Sequence, residues 1–508
     1  MEFTESLNAD VEKYDPAQHQ NDIVLKSTVE ENIETNADNE ILRTHGKIRK
    51  MYFAAFSALL MAMSMGITIG YIAPAIYDMK NRIDSPFKPS DDDITWMGSA
   101  LPIGSMPGGL LAGPMGDKIG RKKTLLLNVI PFLVGYLLIF FAENVGTVIA
   151  GRLLYGYACG VVAVVVPMYC VEISTSEVRG LLGSSLQGFV AIGSLLTVII
   201  GFYVTWEYLS LFGAGVTTIG LICFFFQPES PRWIIAQGDM EKAIKVMRNL
   251  HGNHVDAEEE CAKINDDLKS HPKGLLTLQE CKHPTVYKPA LIATVLMFFH
   301  QFSGSNAIVF YSSSIFEASK EFLNPKYSTM ILGAVQVVSS LSSSFIVDKS
   351  GRKVLLFMSG TLITLSLTIL GLYYYISGTN TEFQIHYEWI PLVTLIVFIV
   401  AFAFGLSSIP YLLTSEIMPL RARATMSGLV IFANSVFAFI VTKTFSELED
   451  LVHSYGTFWF YASITLASCF FVVLVVPETK GKNLEDIANY FNKTKRTNSD
   501  SSINVLTK

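Results

Sequence analysis

Two sets of side chains in this sequence could do chemistry. The first is a group of amides set inside stretches that are otherwise apolar: Gln187, Gln301, Asn306, Gln336 and Asn434. A primary amide donates and accepts, so such groups can hold a solute rich in hydroxyls, with an aromatic face against its less polar side. Tyr411 offers such a face with a hydroxyl of its own, and His300, beside Gln301, can donate, accept or become charged. An amide in lipid is expensive and needs a partner, and hydrogen bonding between helices explains a lone amide equally well. Gln301 and Asn306 are five residues apart, too far round a regular helix to share one stripe. A helix break near Ser303-Gly304 lets both face one cavity.

The second set is ionic. Glu172 and Glu416 stand where apolar stretches end, beside loops carrying Arg121, Arg179, Arg352 and Arg423 and a long polar segment carrying Arg232. Carboxylate and guanidinium pair in a forked geometry. The expectation is a latch that closes two halves of the molecule on one face and is weak enough to open again. The alternative is that cations at helix ends set orientation and nothing more.

The elements that position these groups have to be membrane helices. Of 508 residues, 50% are hydrophobic and only 16% charged, too few charges to cover a soluble globule of that size. Stretches such as Thr124 to Phe141 and Leu355 to Ile376 reach the ~20 apolar residues that a helix needs to cross a bilayer. The net charge of -6 comes without a basic stripe, which excludes a nucleic-acid partner. No catalytic triad, metal spacing or cofactor motif is present, and the six cysteines lack metal or disulfide spacing and read as buried thiols.

The hydropathy pattern predicts an acidic tail over 1–50, six spans over 51–226, a charged linker over 227–288, six more spans over 289–476 and a polar tail over 477–508. In the linker, Ala243, Val246, Met247 and Leu250 fall on one helical face, as in a short amphipathic helix lying on the membrane domain. Lys118, Arg121, Lys122, Lys123, Lys349, Arg352 and Lys353 gather on one side of the spans, and Asp91, Asp92, Asp93, Glu207, Glu447 and Glu449 on the other. The positive-inside rule then makes both termini cytoplasmic.

The halves echo each other. Gly120-Arg121-Lys122 after the second span matches Gly351-Arg352-Lys353 after the eighth. Glu172-Ile173 and Glu416-Ile417 follow the fourth and tenth, and Pro228-Glu229-Ser230 and Pro477-Glu478-Thr479 follow the sixth and twelfth. Three motifs recurring in order imply duplication, with a substrate site near the midplane between the repeats.

At these motifs, and at Gln301-Phe302-Ser303-Gly304-Ser305-Asn306, the chain resembles the sugar porter family of the major facilitator superfamily from about Met51 to Lys482. The acidic N-terminal tail and short first external loop are similar to those of the insect facilitated trehalose transporters. The resemblance implies an all-α membrane protein of twelve transmembrane helices in two pseudo-repeated six-helix halves, the major facilitator fold. It also implies a multi-pass plasma-membrane carrier of a sugar such as glucose or trehalose, without a cofactor. Sugar porters bind hydroxyls at the positions of Gln187, Gln301, Asn306, Gln336 and Asn434.

Three departures bear on the substrate. His300 replaces a second glutamine, Gln336 an asparagine, and Ser407-Ser408-Ile409-Pro410-Tyr411 a Gly-Pro-x-x-Trp pattern. Proton-coupled members carry an aspartate after the Gly-Tyr pair of the first span, whereas Gly70-Tyr71 is followed here by Ile72. The expectation is passive transport, with a proton symporter or a non-transporting sugar sensor as alternatives. Arg152, the cation such an aspartate would pair with, then reads as a latch or packing residue near the inner membrane boundary.

Overall fold

A computed structural model of the chain describes residues 49–175, 178–252, 256–270, 278–306, 308, 325–419 and 422–480. The N-terminal tail expected over 1–50 lies almost wholly outside the described residues, as does the tail beyond 480.

Six long helices come first: α1 (Arg49–Asn81, irregular at Tyr71), α2 (Asp91–Ile119), α3 (Arg121–Phe140), α4 (Val145–Ile173), α5 (Arg179–Gly201) and α6 (Trp206–Phe225). Local chemistry sets their ends. Ser90 and Asp93 form a reciprocal capping box at the start of α2, whose first turn holds three aspartates facing the positive end of the helix dipole. Asn144 caps α4 by accepting from the Thr147 amide.

The linker folds into α7 (Pro231–Ala236), α8 (Met240–His251), α9 (Ala257–Ser270) and the short α10 (Leu278–Cys281). The predicted amphipathic face is realised, with Ala243, Met247 and Leu250 buried. The second series is α11 (Pro284–Gln301), α12 (Pro325–Ser350), α13 (Arg352–Ser377), the short α14 (Thr381–His386), α15 (Ile390–Phe402), α16 (Ile409–Ile417) and α17 (Arg423–Leu474). A π turn, Ala403–Ser407, joins α15 to α16 within one span.

α17 holds the last two spans. His453, at φ 59°, breaks it, and the Phe445 and Tyr461 rings, eight residues to either side, stack with centroids 6.4 Å apart. In a straight helix those residues stand ~24 Å apart, so the chain doubles back at His453.

Among the described residues each half has a large hydrophobic core, and the linker helices share a smaller third one around Ile234, Met247 and Cys261. The first gathers residues from Met51 to Phe224 with Leu250 and Ile431, the second residues from Val286 to Val476. Glycine lets helices touch within a half, since a Cβ on Gly108 of α2 would lie 2.1 Å from the Tyr157 carbonyl of α4. All six cysteines are free thiols, four of them buried.

Candidate substrate site and its ionic frame

The amides gather where α11 breaks. The helix runs regularly to Gln301, Gly304 then takes φ 82°, a left-handed conformation that favours glycine, and the chain is helical again at Ser305 and Asn306. The break brings Asn306 back, so its Nδ2 donates to Gln301 Oε1 at 2.6 Å. Gln301 Nε2 donates to Asn434 Oδ1 of α17 at 2.9 Å, and Asn434 Nδ2 donates to the Tyr411 hydroxyl of α16 at 3.3 Å. Four polar side chains form one hydrogen-bonded row. Gln301 and Asn434 are buried, and Tyr411 packs against both large hydrophobic cores, so the row lies where the halves meet.

His300 is committed elsewhere. Leu406 lies in the π turn four residues before Pro410, which has no N–H to return to the Leu406 carbonyl. His300 Nδ1 supplies the donor at 2.6 Å, with its ring edge-on to Tyr411 at 5.6 Å between centroids. The histidine thus ties the end of α11 to a π turn, an irregularity that recurs at functional sites.

Gln187 and Gln336 lie outside the row. Gln187 is half-buried on α5, next to Gly188, which packs on Leu341 of α12. Gln336 lines a cavity with about 500 Å³ of empty space, part of it open solvent, walled by Ile69 and Ile72 of α1, Ser194 and Val198 of α5, Leu332 of α12 and Ile399 of α15. Both halves contribute to it, as does Ile308, two residues past Asn306.

The ionic motifs build two matching frames at the end of the bundle that carries the Gly-Arg-Lys turns. In the first half, Arg121 Nη2 donates to Glu172 Oε1 at 2.9 Å, and Glu172 Oε2 accepts from Ser230 Oγ at 2.5 Å. In the second, Arg352 Nη2 donates to Glu416 Oε1 at 2.8 Å, and Glu416 Oε2 accepts from Thr479 Oγ1 at 2.5 Å. Glu229 accepts from the Lys122 amide at the start of α3, and Glu478 from the Arg352 and Lys353 amides at the start of α13, each a carboxylate on a helix N-terminus. Burial pushes the Glu478 carboxyl up, but the amides of Lys480, Arg352, Lys353 and Thr479 hold it below the usual carboxylate range.

This geometry corrects the expected latch. Arg121, Glu172 and Ser230 belong to one half and its linker, and Arg352, Glu416 and Thr479 to the other, so each pair binds helices within a half instead of clasping the halves together. Arg232 takes no part, since it pairs with Asp267 of α9 at 2.9 Å. Arg179 and Arg423 open α5 and α17, and their side chains lie outside the described residues. Ser230, Thr479, Glu229 and Glu478 had been legible only as repeats; that they complete the frames depends on helix neighbours.

The turn glycines take part too. Gly120 and Gly351 have φ 100° and 88°, and a Cβ would lie 2.3 Å from Glu229 Oε2 in the first frame and 3.1 Å from Glu478 Oε2 in the second. Each Gly→Ala change is expected to cost about 1–3 kcal/mol from backbone strain alone. Gly120→Ala should lower the melting temperature more than Gly351→Ala, and equal melting temperatures would contradict the closer approach at Glu229.

Arg152 is fully buried, with Nε on the Met97 carbonyl near the start of α2 and Nη1 on the Tyr155 hydroxyl at 2.8 Å. That places it toward the end opposite the Gly-Arg-Lys turns, correcting the expected position at the inner boundary. Among the described residues no carboxylate pairs with it, and Nη2 has no hydrogen-bond partner.

The architecture is that of the major facilitator superfamily. It superposes on the proton:xylose symporter XylE bound to 6-bromo-6-deoxy-D-glucose with a TM-score of 0.75 at 21% identity, over 88% of this chain and 100% of that one. The family model described as "Sugar (and other) transporter" matches residues 50–491, and the chain belongs to that family. Among its relatives, the mouse (Mus musculus) solute carrier family 2, facilitated glucose transporter member 8 is 34% identical over 87% of this chain and 94% of its own. The facilitated trehalose transporter Tret1 of Apis mellifera ligustica is 34% identical over 89% and 90%.

Proposed function

We propose that the protein carries a sugar such as glucose or trehalose passively across the plasma membrane, by alternating access around the amide row. The carrying observation is that row, in which Asn306, Gln301, Asn434 and Tyr411 present amide and phenol groups from three elements at the junction of the halves. Gln187 and Gln336 add amides on facing elements, and His300 holds the frame of Tyr411. The Gly-Arg-Lys end is cytoplasmic, following the positive-inside rule, and both termini lie on that side. The named relatives support glucose or trehalose as substrate. Passive transport follows from the absence of Asp and Glu in α1 from Met51 to Tyr77, which leaves Arg152 without the carboxylate that a proton cycle requires. The XylE likeness favours a proton-coupled reading only at the level of fold.

The ionic frames make each half rigid, so that the halves rock as bodies. At the opposite end the halves are joined by Lys443 of α17, whose Nζ lies 2.9 Å from Asp92 and 3.0 Å from Thr95 of α2, over the Trp96 ring. Lys443→Met is expected to favour opening at that end by about two- to fivefold, as a partly exposed ion pair allows. Faster labelling of a cavity cysteine at Ser194 by an impermeant thiol reagent reads this out, and an unchanged rate would exclude a gating role.

Substrate identity is tested by competition of glucose, trehalose, fructose and polyols against radiolabelled uptake in proteoliposomes. Saturable inhibition by at least one sugar is expected, and uptake indifferent to all of them would overturn the reading.

A further inference from the structure

We propose that His251 and Glu260 form a proton-operated joint that fastens the α8–α9 bundle to the end of α4 and slows transport when the adjoining solution turns acidic. His251 ends α8 and is 2% exposed. Its Nε2 lies 2.8 Å from the carbonyl of Ile173, the last residue of α4. A carbonyl only accepts, so Nε2 carries the hydrogen, and in the neutral ring Nδ1 is a bare acceptor. What Nδ1 faces is a second acceptor, Glu260 Oε2 of α9, 3.9 Å away, and both atoms are buried without a hydrogen-bond partner among the described residues.

Two orphaned acceptors aimed at each other are satisfied together by one proton. Taken from solution onto Nδ1, it makes an imidazolium that donates to Ile173 through Nε2 and toward the Glu260 carboxylate through Nδ1. Glu260 is 27% exposed, which gives the proton its route. Several of the other charged groups on the packed elements are engaged. On α4, Glu172 is held by Arg121 and Ser230; on α9, Glu258 pairs with Arg248, Glu259 with Lys263 and Asp267 with Arg232 of α7; on α1, Lys50 donates to Asn249. None of these competes for His251. Ile173 follows Glu172, so the closed joint attaches the linker bundle to the first ionic frame and restrains the segment that connects the halves.

The transport arm of the test rests on the carrier reading above, and the exchange arm does not. In proteoliposomes, pH on the linker side is varied from about 5.5 to about 8, where histidine changes charge, with the other side fixed. Acidification should slow sugar uptake about threefold, the scale of a partly exposed ion pair. Amide hydrogen exchange in α9, corrected for intrinsic rates, should slow by a similar factor. Glu260→Gln offers a permanent N–H to Nδ1 and should be slow in both measurements at every pH. His251→Gln keeps a donor for Ile173 without titrating and should stay fast. Exchange in α9 that ignores pH in the wild type, or a wild-type pH response in Glu260→Gln, would overturn the joint. Exchange that follows pH while no sugar moves would uphold the joint and count against the carrier reading.

Discussion

Glu172→Ala is expected to destabilise the first half by about 3 kcal/mol, because it takes the buried carboxylate from a buried guanidinium and leaves it only Asp117, 3.1 Å away. Arg121 is 7% exposed and Glu172 10%, and Asp117, the other carboxylate near Arg121, is more than half exposed. Glu416→Ala should cost less, since Glu416 is 23% exposed and water can partly replace it at Arg352. The order to look for in detergent melting curves is wild type, Glu416→Ala, Glu172→Ala, from highest to lowest. The double change Arg121→Met with Glu172→Leu should recover most of the loss, because apolar replacement removes the buried charge along with its buried partner. Equal melting temperatures for the two single variants, or no recovery in the double variant, would contradict the frame as described.

Gln301→Ala is expected to lower uptake per surface molecule by about tenfold or more. Gln301 is the centre of the row, donating to Asn434 and accepting from Asn306. Truncation takes the partner from Asn434 Oδ1 and from Asn306 Nδ2, at about 1–3 kcal/mol for each group left unsatisfied. Asn306→Ala removes one bond at the end of the row, and Tyr411→Phe removes only the 3.3 Å contact from Asn434, so the losses should fall in the order Gln301, Asn306, Tyr411. Uptake kinetics normalised to surface protein check this, and wild-type kinetics in Gln301→Ala would remove the row from the substrate path.

Much of this was legible in the sequence, because the bilayer imposes strong rules. Twelve apolar stretches, the three paired motifs and the break at Ser303-Gly304 follow from helix length, duplication and the five-residue spacing of Gln301 and Asn306. What failed is partner choice. Glu172 has several arginines nearby in sequence, and only the neighbour relation of α2, α3 and α4 decides that Arg121 takes it within one half. The depth of Arg152 was missed although its signal was present: it sits in the second turn after the Asn144 cap, at the start of a span entered from the acidic side. For His300, Pro410 marks Leu406 as a carbonyl without its usual donor, but not which side chain supplies one. Spacing alone also did not show that Gln187 and Gln336 stand outside the hydrogen-bonded row.

Net sugar flux under an imposed proton gradient tests the central claim most directly. The purified protein in proteoliposomes, with equal sugar inside and outside and an inward proton gradient, should show exchange of labelled sugar without net accumulation, because among the described residues no carboxylate pairs with Arg152 to run a proton cycle. Accumulation above the external concentration that a protonophore abolishes would contradict the account.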